Sequence, residues 1–238
     1  MIYTVTLNPA LDKTVQIPSF RLGEVNRISA MRTDPGGKGI NVSKVLRELG
    51  EPSVAAAIIG GAAGQQLASA LRAVEIEGMY LFTGHETRTN LKIVDPTLHT
   101  NTDVNEPGAP ADEAVLSKLL TQLTGRLRPG DLVVLSGKAP AGAPDTLYRD
   151  WILACRAAGA AVYLDAEGEL LRQGVTAGPA LIKPNQAELS GVMGRPLTTE
   201  DETIRAAQEL LAQGVGCVNV TVGACGARLC GEECVVRG

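Results

Sequence analysis

Aromatic side chains are scarce. Tyr, Phe and Trp together make 3% of the 238 residues, too few for the stacking platforms that hold single-stranded nucleic acid. Excess positive charge is also lacking: the net charge is −4. That leaves no electrostatic footprint for nucleic acid, which is not expected as a partner. No apolar run approaches the roughly 18 residues of a membrane-spanning helix, so no membrane role is expected. The opening Met1-Ile2-Tyr3-Thr4-Val5-Thr6-Leu7 has neither the basic start nor the apolar core of a signal peptide. It reads as a strand, and a cytoplasmic location is expected. Four of the five cysteines lie late, at Cys217, Cys225, Cys230 and Cys234, but no C-x-x-C pair occurs. Their spacing fits no common structural zinc site, so reduced thiols are expected.

What is present begins with Pro35-Gly36-Gly37-Lys38-Gly39-Ile40-Asn41-Val42-Ser43. Glycines let a ligand touch the backbone. Val42, Val45, Leu46 and Leu49 recur at helical spacing, with Gly50 as the stop. A bare loop therefore feeds a helix N-terminus, where free N–H groups attract an anion. Lys38 adds a full charge there, and Asn41 a donor and an acceptor. The stretch is neither a Walker A loop nor a dinucleotide fingerprint. A glycine-rich turn with a chance lysine is the alternative.

Apolar strands alternate with amphipathic helices along the chain. Strands are expected at Ile2–Leu7, Val54–Ile59, Asp131–Ser136, Ala160–Asp165, Ala180–Lys183 and Cys217–Val222. Helices are expected after the run Gly60-Gly61-Ala62-Ala63-Gly64, along the face Leu116, Leu119, Leu120, Leu123 and Leu127, over Pro144–Ala158 and over Glu200–Gln213. This order implies an α/β fold: a mainly parallel sheet with helices on both faces. Ligands then belong at the carboxyl ends of the strands. Residues 10–34 and 79–105 break the rhythm and read as antiparallel strands forming a small β lid. The α/β core is then 1–9 with 35–78 and 106–238. Within the lid, Arg88, Asn90 and Lys92 alternate and share one face. They read as a solvated polar face or, with Lys38, as a shared phosphate site.

Six ordered stretches resemble one group. They are Thr6–Asp12, Pro35–Ser43, Glu86–Lys92, Asn105–Gly108, Ser136-Gly137 with Pro140, and Ile182–Leu189. Together they resemble the ribokinase-like sugar kinases of the phosphofructokinase B family. The Gly-Gly-Lys-Gly order and Gly23–Arg27 are similar to its 1-phosphofructokinase branch, with tagatose-6-phosphate kinases next.

The resemblance implies a Rossmann-type three-layer core with a β lid. It implies ATP-dependent phosphorylation of a ketose phosphate, fructose 1-phosphate to fructose 1,6-bisphosphate, with tagatose 6-phosphate as the alternative acceptor. Asp12 would accept hydrogen bonds from sugar hydroxyls, with a turn aspartate capping local backbone as the alternative. Gly36, Gly37 and Asn41 would touch the sugar, Lys38 and Arg88 its phosphate, and Asn90, Ser136 and Lys138 would complete the acceptor site. ATP would meet Lys183, Asn185, Thr221, Gly223 and Gly226. Asn185 and Glu188 would hold Mg²⁺, although Asn185 could instead, or also, cap the helix carrying Glu188. Lid strands form dimer surfaces in such enzymes, so a homodimer through the lid is the implied assembly.

In this family a Gly-Ala-Gly-Asp element supplies the catalytic aspartate, after a hairpin that here matches Ala227–Arg237. The 238 residues contain no such element. The resemblance therefore implies that the last part of the fold is absent and that turnover is poor, with a non-catalytic sugar-phosphate binder as the rival reading. Lys138 and Asp165-Ala166-Glu167-Gly168 also depart from the family pattern.

Overall fold

The computed structural model describes residues 1–223, 226–231 and 235–237, with the side chains of 235 and 237 left aside. Its elements run β1 (Ile2–Thr6), β2 (Ala10–Gln16), β3 (Ala30–Gly36), α1 (Lys38–Glu48), β4 (Ser53–Gly60), α2 (Gly61–Ala73) and β5 (Glu77–Thr83). Then follow β6 (Arg88–Asp95), β7 (Thr100–Asn105), α3 (Glu113–Thr124), β8 (Leu132–Ser136), α4 (Leu147–Ala157) and β9 (Ala161–Asp165). The last part holds α5 (Gly168–Val175), β10 (Leu181–Ile182), α6 (Gln186–Met193), α7 (Glu200–Ala212), β11 (Val218–Thr221), β12 (Ala227–Cys230) and β13 (Val235–Arg237).

The large sheet has the order β13-β12-β11-β10-β9-β8-β1-β4-β5. It is parallel from β5 through β11, and β12 and β13 add an antiparallel hairpin. Strand β4, between β1 and the edge strand β5, is buried at every position, as its run Val54-Ala55-Ala56-Ala57-Ile58-Ile59 requires of a strand covered on both faces. Ala55, Ala57 and Ile59 pack with Ile40, Leu67 and Leu71 of α1 and α2. Val54, Ala56 and Ile58 join the opposite layer, built on Leu116, Leu119 and Leu123 of α3 and on α4 to α7. Burying each such aliphatic side chain contributes about 1.5–3 kcal/mol. Past α1, its face of the sheet is open. There Ile2, Leu132, Val134, Tyr163 and Leu181 line an apolar groove of about 290 Å³ with Val42 and Leu46.

The small sheet has the order β3-β2-β6-β7. Two expectations are corrected here. The lid's second stretch does not begin at residue 79, because β5 pairs in parallel with β4 in the large sheet. Its residues Met79 and Leu81 are buried, so the apolar run belongs to the core. Nor is the small sheet wholly antiparallel: β2 and β6 pair in parallel. The core excursion through α1, β4, α2 and β5 lies between them, and such a crossover is what parallel neighbours need. The expected apolar face of α1 also differs. Ile40 and Ser43 are buried, while Val45 is 54% and Leu49 72% exposed. Among the cysteines, Cys155 and Cys230 are buried and Cys217 is half-buried. Cys225 and Cys234 lie outside the described residues.

Candidate active site

The carboxyl ends of β1 and β8 open beneath the small sheet, where an α/β sheet places its ligands. Helix α1 starts at this point. Its N-cap Gly37 has a φ of 121°, the left-handed region that glycine tolerates. A Cβ on Gly39 would lie 2.6 Å from the backbone oxygen of Val5, so only glycine lets the helix start lie against the end of β1. Thr6 fixes the contact by accepting a 2.9 Å hydrogen bond from the Ile40 N–H.

A cleft of about 450 Å³ is lined by Asn8, Gly37, Lys38, Arg88, Asn90, Asn105, Glu106, Ser136, Gly137 and Lys138, among others. The structure thus brings Lys38 of the core and Arg88 of the small sheet to one cavity. The Arg88 guanidinium donates to the backbone oxygens of Asn8 (3.2 Å) and Glu106 (3.1 Å) and to Asn90 Oδ1 (3.3 Å). All three acceptors are neutral, and among the described residues Arg88 forms no ion pair. Its Nε is buried without a partner. A fixed positive charge with no counter-ion makes the cleft attractive to an anion.

Asp12 and Asn90 face each other in the parallel β2–β6 register. Asn90 Nδ2 donates a 2.8 Å hydrogen bond to Asp12 Oδ1. Both, with Lys92, line a second hollow of about 390 Å³ on the same sheet face. A Cβ on Gly36 would lie 2.0 Å from Asp12 Oδ2, so that glycine makes room for the carboxylate.

Ser136 closes the cleft's floor with a buried hydroxyl that has no hydrogen-bond partner. Such an orphan marks a place where a ligand or water completes the bonding. The next loop is held from two sides. Tyr148 donates a buried 3.0 Å hydrogen bond to the Gly137 carbonyl, and the Gly137 N–H donates to the Asp165 carbonyl at 2.9 Å. Burial raises the pKa of the Tyr148 phenol, with the Asp165 charge adding to it, so the phenol stays a donor.

The candidate nucleotide residues gather one strand further along. Asn185 and Thr221 form a parallel bridge, and the Thr221 N–H donates to the Pro184 carbonyl. Gly223 and Gly226 close a tight turn, both at positive φ; Ala224 and Cys225 between them lie outside the described residues. Asn185 caps α6 in a reciprocal box: it accepts from the Glu188 N–H at 2.8 Å, and Glu188 Oε2 accepts from the Asn185 N–H at 2.8 Å. The donor set is all oxygen, which suits Mg²⁺ held through water. The box leaves both side-chain oxygens lone pairs for such water.

Three expected acceptor residues are not part of the cleft's lining: Asp12, which lines the second hollow, Gly36 beside it, and Asn41. Asn41 sits on the exposed side of α1, because the buried stripe of that helix runs through Ile40 and Ser43. Three residues of the site were not singled out from the sequence. Asn8 and Glu106 lay within stretches that carried the resemblance, yet their backbone oxygens are what hold Arg88. Asp165 stood in the sequence only as a departure from the family pattern. In the structure it binds both Lys38 and Lys183.

Residues 5–237 match the model of the pfkB family carbohydrate kinases. A 1-phosphofructokinase of Rhodobacter capsulatus is 40% identical over 237 residues, which span 99% of this chain and 75% of that protein. One from Bacillus subtilis is 35% identical, spanning 99% of this chain and 76% of that protein. The crystal structure of phosphofructokinase-2 from Escherichia coli in complex with fructose-6-phosphate superposes with a TM-score of 0.95 at 31% identity. It covers 100% of this chain and 78% of that one. A tetrameric inhibited form of the same enzyme superposes at 0.94 and 32% identity, covering 99% and 78%. The chain belongs to the pfkB family of carbohydrate kinases.

Proposed function

We propose that this chain takes part in ATP-dependent phosphorylation of a ketose phosphate, fructose 1-phosphate to fructose 1,6-bisphosphate. The observation that carries the reading is the shared cleft: the uncompensated guanidinium of Arg88 and the ammonium of Lys38 line one cavity between core and small sheet. Two cations so placed suit the phosphate already on the acceptor. Asp12, held by Asn90, orients the sugar hydroxyls, Gly36 and Gly37 let the sugar approach the backbone, and Ser136 and Lys138 border the other wall. The relatives named 1-phosphofructokinase favour fructose 1-phosphate over tagatose 6-phosphate.

In the transfer, the γ-phosphorus of ATP forms a bond to the acceptor oxygen while its bond to the β,γ-bridging oxygen breaks. Such reactions depend mainly on positioning and on charge neutralisation. Lys183, Asn185, Thr221, Gly223 and Gly226 are assigned to the nucleotide. Mg²⁺ at Asn185 and Glu188, when bound, supplies charge to the phosphates. The hydroxyl proton needs an acceptor, and the family's Gly-Ala-Gly-Asp element does not occur in these 238 residues. A non-catalytic sugar-phosphate binder is the rival reading.

The small sheet exposes Leu22 (93%) and Val25 (85%) in its β2–β3 connection and Met31 on its edge strand β3, which supports pairing of two copies through the lid. No described helix is long and apolar enough to cross a membrane, and we assign the protein to the cytoplasm. The test is calorimetric titration with fructose 1-phosphate, tagatose 6-phosphate and fructose. Tightest binding of fructose 1-phosphate supports the reading; equal binding of unphosphorylated fructose removes its basis.

A further inference from the structure

Asp165 ends β9 with its side chain only 19% exposed. One of its oxygens meets two ammonium groups at once. Oδ1 lies 3.3 Å from Lys38 Nζ and 3.4 Å from Lys183 Nζ. The two lysines come from different parts of the site. Lys38 opens α1 and lines the cleft. Lys183 follows β10, two residues before Asn185, on the nucleotide side. Among the described residues neither lysine has a second carboxylate. Two like charges so close repel each other, and the shared carboxylate is what lets both sit there.

We propose that Asp165 is a positioning residue that couples the two sides of the site, so that two anionic ligands compete through its lysines. The inference rests on the sugar-phosphate reading above. An anion that draws Lys38 away leaves Asp165 satisfied by Lys183. A second anion that draws Lys183 away leaves a mostly enclosed carboxylate without a counter-ion, which is unfavourable. The second ligand therefore binds more weakly than the first. By linkage the factor is the same in either order. The lysines are 47% and 42% exposed, so water screens the effect and it amounts to a few-fold. The device opposes holding two polyanions together and favours separation of the products after transfer.

A neighbouring pair supplies the control. Lys138 Nζ lies 3.0 Å from Glu167 Oε1 and joins the segments after β8 and β9, and among the described residues Glu167 forms no ion pair with Lys38 or Lys183. The experiment is calorimetric titration of the 238-residue chain with fructose 1-phosphate, with and without saturating adenylyl-imidodiphosphate and Mg²⁺. In the wild type, the nucleotide analogue weakens sugar-phosphate binding about three-fold, on the scale of a partly exposed ion pair. In Asp165→Asn that ratio falls to one while fructose 1-phosphate alone binds at least as tightly. Asp165→Glu restores the ratio, and Glu167→Gln keeps it. Lys183→Met, which leaves Asp165 in place, also brings it to one, so the result stands even if Asp165→Asn fails to fold. A wild-type ratio of one or below overturns the inference. So does a ratio that survives in Asp165→Asn or Lys183→Met. If fructose 1-phosphate does not bind the wild type at all, the sugar-phosphate reading itself fails, and the inference with it.

Discussion

Asn90 Nδ2 lies 2.8 Å from Asp12 Oδ1, on neighbouring parallel strands of the small sheet. The bond fixes one carboxylate oxygen and leaves Asp12 Oδ2 beside Gly36. Asp12→Asn therefore removes a charged acceptor, and a hydrogen bond to a charged group contributes about 1.5–3 kcal/mol. Fructose 1-phosphate binding is expected to weaken about 10- to 100-fold, read by calorimetry. Asn90→Asp sets two carboxylates face to face and is expected to weaken binding at least as much.

Arg88 differs from a surface arginine because its fork is already spread over three neutral oxygens. A lysine cannot reproduce that geometry. Arg88→Lys is expected to lose at least about ten-fold in sugar-phosphate affinity despite keeping its charge, and Arg88→Met more. An Arg88→Lys protein that binds like the wild type would show that charge alone matters.

Two glycines of the same loop should separate binding from folding. Gly36→Ala drives a methyl group into the Asp12 carboxylate, a side chain that can shift. Its main loss is expected in affinity, with little change in melting temperature. Gly39→Ala drives a methyl group to 2.6 Å from the Val5 backbone oxygen, which cannot move alone. Overpacking of this kind costs about 1–3 kcal/mol, and thermal unfolding should show it as a lower melting temperature.

Acid stability should depend on the start of α7. Hydrogen bonds from the Thr198 and Thr199 backbone N–H groups, aided by their hydroxyls, pull the Glu202 carboxyl from an ordinary 4.5 down to about 2. The folded pKa lies below the unfolded one, so this stabilisation is complete above the unfolded value. It is lost as pH falls toward 2. The N-terminal ammonium, with the Arg128 N–H, holds Asp131 low in the same sense. Stability measured by denaturant titration should fall between about pH 4.5 and 2, and Glu202→Gln should flatten that fall.

Much of this was legible in the sequence because the relevant signals are local. The apolar run Val54–Ile59 reads as a strand, and Asn185 three residues before Glu188 spells a capping box. The alternation of Arg88, Asn90 and Lys92 correctly placed them on one face. What escaped was set by partners distant in sequence. Met79–Leu81 reads as a lid strand until β4 is seen beside it. Val42, Val45, Leu46 and Leu49 obey helical spacing, yet Val42 and Leu46 line an uncovered stretch of sheet and Val45 and Leu49 face outward. The backbone oxygens that hold Arg88 carry no side-chain signature. Asp165 and Lys138 each looked like a departure from the pattern, and only the fold shows that they pair with Lys38 and Glu167.

The central claim is a cationic cleft that grips a phosphorylated ketose. Its most direct measurement is calorimetric titration of fructose 1-phosphate against the wild type and the Lys38→Met/Arg88→Met double variant, at low and high salt. The account predicts saturable wild-type binding that weakens with salt and falls at least about 100-fold in the double variant. Equal affinity for both proteins, or wild-type binding indifferent to salt, would contradict it.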